Sequence, residues 1–438
     1  NDALWANGDP VTAHDIVYAW RRAVDPNTAS PYSWYISLAT VKNADDIIAG
    51  NKPLEDLGVT AVDDFTLEVQ LDQSLPYFPE MTTYATLFPV HQATIEKHGI
   101  KWTRPENIVS NGAYVLTEHV PNEYHMRKRS TMYWNDEATV IETVIGRVIN
   151  DENQALTRYF AGEVDHTGIP AGQYPNLVKK YPDEATSVPI LCTYYYAFNH
   201  TESANPGLHD VRVRKALSYA IDRKLLVNQV LKGGQYPAYN FVHRATAGFE
   251  MPVIDYSSIP QNQLDAKAED LMTEAGYGPG NPLTLKLIYN TSESHKQIAT
   301  VISQLWKQKL AVQTELVNYE WKTYLQIRQT QAFDLARAAW CGDYNEASTF
   351  LDLMTTASTS NAGRFSNPEV DRLMAESKTL EDPQDNYTAV ELILADEMAL
   401  IPIYHYTSVF MLNSQIKGWP YDNVQKNWYS KDLYRIKN

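Results

Sequence analysis

Between Pro282 and Trp340 the hydrophobic period switches four times. LTLKLIYN (283–290) alternates as a half-buried strand, and SHKQIATVISQLWKQKL (294–310) repeats its apolar residues at helical spacing. VQTELVNY predicts a second strand, WKTYLQIRQTQ a second helix, and FDLARAAW (333–340) a third strand of β-formers and small residues. This βαβαβ order predicts a mainly parallel sheet covered by helices. Upstream, Asp210 is a good N-cap. Val213, Leu217, Ala220 or Ile221, and Leu225 recur at helical spacing until Gly233-Gly234, which predicts one helical unit.

The remaining punctuation is consistent with an α/β chain. Thr12-Ala13-His14-Asp15 has the form of a capping box before the helix IVYAWRRAV. A short helix is predicted around Asp45 to Ala49, and an alternating strand TLEVQL from Thr66. Asn111-Gly112 opens a β region containing AYVLTEHV and YHMRKRS. Asn367-Pro368-Glu369 starts a later helix with a cap, a proline and an acid, and LIPIYHYTSVFML predicts a closing strand. Leu4-Trp5 resembles the last residues of a strand, and Asn7-Gly8-Asp9-Pro10 a turn. The expectation is therefore that the sequence starts inside a domain.

The 438 residues suggest two or three domains. A formal net charge of -16 repels nucleic acid and argues against that class of partner. No apolar run is long enough to span a bilayer, and no signal peptide is visible. The two cysteines, Cys192 and Cys341, lie far apart and belong to no CxxC motif. Their count alone leaves a disulfide in an oxidising compartment and two buried free thiols equally open. Twenty-nine tyrosines and ten tryptophans suit cores and adaptable binding walls alike.

Enzyme signatures are absent from the sequence: no GxSxG, HExxH, P-loop or GxGxxG. The eleven histidines show no metal-ligand spacing on a predicted helix face, so neither metal nor cofactor is expected. Candidate chemistry concentrates at strand ends. WCGDYNE delivers Asp343 just past the third strand, at the edge where open α/β sheets bind ligands. Asp343 reads either as a surface turn acid or as an anchor for an ammonium group. Arg337 lies within the same apolar strand, Arg328 ends the preceding helix, and His295 stands at the start of the earlier one. These three read either as partners of local carboxylates or as partners of a ligand's carboxylate.

Three segments then carry a resemblance: NGDPVTAHDIVYAWRRAVDP (7–26), DVRVRKALSYAIDR (210–223) and RFSNPEVDRLM (364–374). Together with WCGDYNE, LCTYYY and YNTSESHK they make the chain similar to family 5 extracellular solute-binding proteins. Within that family it resembles the periplasmic oligopeptide-binding proteins of Gram-negative bacteria and their murein-tripeptide-binding relatives. The resemblance implies an α/β, two-lobed, three-domain periplasmic binding protein of the class II or cluster C type, with mixed sheets and a hinge. Residues 1–91 would form an accessory domain, 92–191 with 410–438 a first-lobe domain, and 192–409 the second lobe. The early part of the first lobe, including a peptide-facing acid, would be missing.

By the same resemblance, Asp343 would take a peptide's α-amino group, with Trp340 and Cys341 lining the site. Arg337, Arg328 and His295 would serve carboxylates of ligands of different length. Tyr32, Tyr195, Tyr404 and Tyr406 would face the peptide, and Cys192–Cys341 would be the family's disulfide. A family lysine near Val230 is matched only out of register, by Lys232. The implied protein is a non-enzymatic, monomeric periplasmic receptor that captures short peptides and delivers them to an inner-membrane ABC permease. It needs no cofactor. Rival readings are a murein-tripeptide receptor, a receptor for haem or a nickel chelate, and a peptidase.

Overall fold

The computed structural model describes residues 2–425 and 427–436, which fall into two compact units. The first holds the chain up to Ile149 together with Ser414–Tyr421 and the stretch from Asn427; the second holds Asn150–Asn413 and Asp422–Lys426. Among the described residues, no helix is long and apolar enough to cross a membrane.

In the first unit, helix α1 (Ala13–Val24) starts at the expected cap. The Asp15 carboxylate accepts from the Thr12 backbone N–H at 2.8 Å and from the Trp5 indole at 3.3 Å. The helix buries Val17, Trp20 and Val24, and the Trp20 indole donates to the Leu87 carbonyl at 2.9 Å. Leu4 forms only an isolated bridge with Pro10. The predicted short helix spans Ala44–Ile48. Strands β1 (Val59–Asp63) and β2 (Thr66–Val69) form a hairpin. Strands β3 (Tyr114–Val120), β4 (Tyr124–Arg129) and β5 (Thr143–Arg147) form an antiparallel sheet.

The second unit is built on a seven-stranded sheet. In chain order its main elements are α2 (Glu152–Phe160), β6 (His166–Gly168), β7 (Ala185–Phe198), α3 (Val211–Tyr219), β8 (Tyr236–Pro237) and α4 (Gln261–Glu274). Then follow β9 (Thr284–Asn290), α5 (Glu293–Leu310), β10 (Gln313–Tyr319), α6 (Trp321–Gln329) and β11 (Leu335–Cys341). Helices α7 (Pro368–Ser377) and α8 (Gln384–Asp396) lead into β12 (Leu400–Leu412). The strand order is β10-β9-β11-β7-β12-β6, with β8 also pairing β12.

The βαβαβ segment forms as expected, and β9 pairs in parallel with β10 and β11. The sheet as a whole is not mainly parallel. The two longest strands, β7 and β12, come from outside that segment, and β11–β7, β7–β12 and β12–β6 are all antiparallel. The expected single helical unit over 210–234 is also divided. Helix α3 starts at Asp210 but stops at Tyr219, and Asp222 caps a fresh start by accepting from the Leu225 N–H at 2.9 Å. At the break the buried Arg223 side chain donates to the carbonyls of Ser218, Ala238 and Pro402 and so ties it to distant backbone. The renewed helix ends in a widened turn, Leu226–Leu231, closed by Lys232 at φ 53°.

Pleating sorts β7 and β11 onto two faces. Tyr194, Tyr196 and Phe198 share one face with Leu335, in a core shared with Leu217 of α3, Ala268 of α4 and Trp306 of α5. Tyr195 and Ala197 lie on the other, with Ala338, Phe241, Phe350, Val370 of α7 and Val390 of α8. The β7–β11 register sets Cys192 directly opposite Cys341, where the two are joined by a disulfide across 149 positions of sequence.

Closing so long a loop constrains the unfolded chain more than the folded one. Replacing both cysteines by alanine should lower the unfolding free energy by about 2–4 kcal/mol. Urea denaturation followed by tryptophan fluorescence measures this; an unmoved midpoint would show that the bond adds nothing.

Candidate functional site

A cavity of about 420 Å³ lies within the second unit. Arg337, His295, Tyr404 and Tyr406 line it, joined by Glu152 and Ser294. Each arrives by local geometry. Arg337 is the third residue of β11, opposite Tyr196, so its side chain emerges on the face of Tyr194 and Tyr196. His295 sits in the first turn of α5, whose N-cap Ser292 accepts from the His295 N–H at 3.4 Å. Tyr404 and Tyr406 come from β12, two residues apart and therefore on one face.

A register shift in β12 chooses that face. Pro402 stands opposite Tyr195, yet Tyr404, not Ile403, stands opposite Tyr194. The extra residue brings the Tyr404 ring onto Tyr194, stacked at 4.7 Å and 18°, with Tyr406 4.8 Å from Tyr404. Near the mouth, the Gly233 carbonyl accepts from Ser187 Oγ at 2.6 Å and Thr407 Oγ1 at 2.8 Å. A Cβ at Gly233 would lie 2.7 Å from Val409, so the backbone approaches β12 only because no side chain intervenes.

Arg337 is the dominant charge. It is 8% exposed, and no carboxylate among the described residues pairs with it. Its Nη2 donates to the Tyr406 hydroxyl at 2.7 Å and Nη1 to Asn290 Oδ1 at 3.3 Å. The guanidinium carbon lies 4.9 Å from the centre of the Tyr194 ring, while Nε is buried without a partner. These neutral contacts hold a permanent cation in place without cancelling its charge. His295, 5.6 Å from Tyr194, is kept neutral beside it: burial first, and then the Arg337 charge, push its pKa down to about 2. Its Nδ1 is buried with no hydrogen-bond partner. Burial also raises the hydroxyl pKa values of Tyr194 and Tyr404, so both stay protonated.

The remaining predicted residues lie elsewhere. Tyr195 is on the opposite face of β7, where its ring packs against Phe241 at 5.0 Å; the tyrosine beside the cavity's charges is Tyr194. Trp340 likewise packs against the core on that other face. Arg328 ends α6 with its guanidinium 5.8 Å from the Tyr324 ring, and the Tyr324 hydroxyl donates to the Arg337 carbonyl. Asp343 follows the disulfide-bonded Cys341 by two residues, and its backbone N–H donates to Thr349 Oγ1 at 2.9 Å. Tyr32 belongs to the first unit, stacked on Tyr84 at 5.4 Å. Lys232 closes the widened helical turn and is not among the cavity's lining residues.

Sequence reasoning missed Tyr194, Asn290 and Glu152. Tyr194 was recoverable from parity, since it shares its register face with Arg337; Glu152 carried no signal, because its serine partners lie about 140 positions away. Among the described residues, no group of three His, Cys, Asp or Glu side chains could hold a metal ion.

Comparison with known proteins places this geometry in context. The sequence model described as bacterial extracellular solute-binding proteins, family 5 Middle, matches residues 1–362. The periplasmic murein peptide-binding protein MppA of Escherichia coli is 43% identical, covering 100% of this chain and 82% of its own. The periplasmic oligopeptide-binding protein OppA of the same species is 41% identical, with coverages of 100% and 81%. The solved structure of the MppA protein aligns with a TM-score of 0.96 over 100% of this chain and 86% of that one. Haemophilus influenzae OppA, in complex with RPPGFSPFR, aligns at 0.93 with 38% identity and the same coverages.

Four histidines make stability depend on pH. Burial lowers His200 and His243 to about 4, His405 to about 3 and His295 to about 2. Unfolded histidines take up protons near pH 6.5, so the unfolded chain gains protons the folded one refuses. Stability is therefore present above that pH and lost as pH falls below it. Buried Glu391, raised to about 7, Asp352, raised to about 6, and Glu346, also raised by burial, act in the opposite sense but are three against four. The melting temperature should fall between pH 7.5 and 5. His295→Gln should reduce the proton uptake on unfolding at pH 5 by about one. Calorimetry across that range checks both, and a melting temperature that rises on acidification would contradict them.

Proposed function

The chain belongs to the bacterial extracellular solute-binding proteins of family 5, binding proteins and not enzymes, and on that premise we propose that it is a periplasmic receptor for short peptides that passes them to an ABC importer. The observation that carries this reading is Arg337: a buried guanidinium, uncompensated by any described carboxylate, lining a cavity beside a neutral histidine. A desolvated cation of this kind is relieved by an incoming carboxylate, and every linear peptide ends in one. Two relatives at more than 40% identity are named for peptide binding.

A receptor for varied peptides gains affinity from what all peptides share. Asp343 takes the α-amino group; its backbone is pinned by Thr349 and lies just beyond the Cys192–Cys341 bridge, which supports a fixed position for the charge. Arg337, Arg328 and His295 serve the carboxylate of ligands of different length. The extended backbone pairs with protein main chain near Trp340 and Cys341. Tyr404 and Tyr406 form tolerant walls, with water filling what the side chains leave open. The receptor acts as a monomer and engages an inner-membrane peptide permease.

Calorimetric titration of trialanine in free, N-acetylated and C-amidated forms tests the two anchors. N-acetylation and Asp343→Ala should each weaken binding by about 2–5 kcal/mol, and acetylation should cost Asp343→Ala little more. C-amidation and Arg337→Met should behave as a matched pair in the same way. Equal affinity for free acid and amide would sink the Arg337 assignment, and no binding of any form would sink the peptide reading.

A further inference from the structure

Two Asn-Gly pairs occur in the first unit, Asn7-Gly8 and Asn111-Gly112, and neither lines the cavity. Asn-Gly is chemically labile because glycine has no Cβ. Its backbone nitrogen reaches the side-chain amide carbon of the preceding asparagine without a steric barrier. In a folded chain, that approach depends on what already holds the two groups.

The two pairs differ in this respect. At the first, three hydrogen bonds lock the reacting groups. Asn7 Nδ2 donates to Asp9 Oδ2 at 2.6 Å, Asn7 Oδ1 accepts from the Asp9 N–H at 3.1 Å, and the Gly8 N–H donates to the Trp5 carbonyl at 2.8 Å. At the second, neither the Asn111 side chain nor the Gly112 N–H is hydrogen-bonded to any described residue. A Cβ at Gly112 would meet nothing within 4 Å, so the space around this peptide is open. Exposure alone would choose the first pair, since Asn7 is exposed and Asn111 half-buried. Hydrogen bonding outweighs it. Both glycines are exposed to water, whereas the bonds at Asn7-Gly8 must break before nitrogen and amide carbon meet.

We propose that Asn111 is a self-modification site, converted in the folded protein to aspartate and isoaspartate through a ring formed with Gly112, while Asn7 persists as the amide. Hydroxide removes the Gly112 N–H proton, and that nitrogen attacks Asn111 Cγ. The N–Cγ bond forms, the Cγ–Nδ2 bond breaks, and Nδ2 leaves as ammonia with a proton from water. Water then opens the cyclic imide. Cleavage of the N–Cγ bond gives aspartate, and cleavage of the bond from nitrogen to the Asn111 main-chain carbonyl carbon gives isoaspartate. No oxidant or cofactor is consumed.

The neighbours fix where the product lies. The Ser110 carbonyl accepts from the Ala6 N–H at 2.8 Å, and the Ala113 carbonyl accepts from the Ser130 N–H at 2.9 Å, one residue before β3. Either product adds a carboxylate at the entry to that strand, and isoaspartate lengthens the main chain by one bond between the two anchored residues. The inference is independent of the peptide reading.

Incubation of the full chain at mildly alkaline pH, followed by tryptic mass mapping, tests this. The peptide carrying Asn111 should gain the mass difference between amide and carboxyl and split into two chromatographic forms. Its rate should exceed that of the peptide carrying Asn7 by about tenfold or more, the scale of two or more hydrogen bonds retained at the slower site. Gly112→Ala, whose methyl group has room, should suppress the gain. In urea the protection of Asn7 is lost, and both peptides should convert at comparable rates. Asn7 converting as fast as Asn111 in the folded chain, an Asn111 peptide that keeps its mass there while converting in urea, or an unchanged rate in Gly112→Ala would overturn the proposal.

Discussion

A guanidinium withdrawn from water and given no counter-charge is costly, and its removal by a hydrophobic residue would often stabilise a fold. Arg337 occupies that position inside β11. The surrounding structure holds it without neutralising it: an aromatic face from Tyr194, a hydroxyl from Tyr406 and an amide oxygen from Asn290. Each contact is neutral, so the positive potential survives into the cavity. Burial, with that charge beside it, keeps His295 deprotonated.

The rest of the second unit keeps that cation fixed. Tyr324 of α6 bonds the Arg337 carbonyl, and β11 is held by β9 on one side and β7 on the other. The disulfide ties the end of β11 to β7 at the point where the chain turns toward Asp343. Two helix starts, α2 and α5, meet through Glu152 and the serines on the same cavity. In the proposed function, the molecule maintains separated charges of both signs on rigid elements and lets the ligand supply the missing partners. Preorganisation of this kind lowers the reorganisation required at binding.

Much of this was legible in sequence because it is local. The cap of α1, the Asn367-Pro368 start of α7 and the βαβαβ segment all depend on residues within a few positions of one another. The arginine in an apolar strand stood out for the same reason. Misreadings arose where distant chain intervened. The helical period across 210–234 concealed a break at which Arg223 reaches distant carbonyls at Ala238 and Pro402. The parallel character of one segment did not extend to β7 and β12, whose direction is set by how the chain returns. Tyr195 and Tyr194 are neighbours in LCTYYY with nothing local to rank them; the pairing with β11 and β12 puts only Tyr194 among the cavity's charges.

The amino-acid sequence by itself determined the α/β character, the candidate charges within and just past β11, and the resemblance to a family, since each depends on pattern and spacing along one segment. The tertiary structure alone decided which charges meet. One inserted residue in β12 places Tyr404 opposite Tyr194, and partners about 140 positions apart bring Glu152 to the cavity of Arg337. The physical reason is that strand register and helix docking are set by packing across the whole sheet, and a shift of one residue turns a side chain from one face to the other.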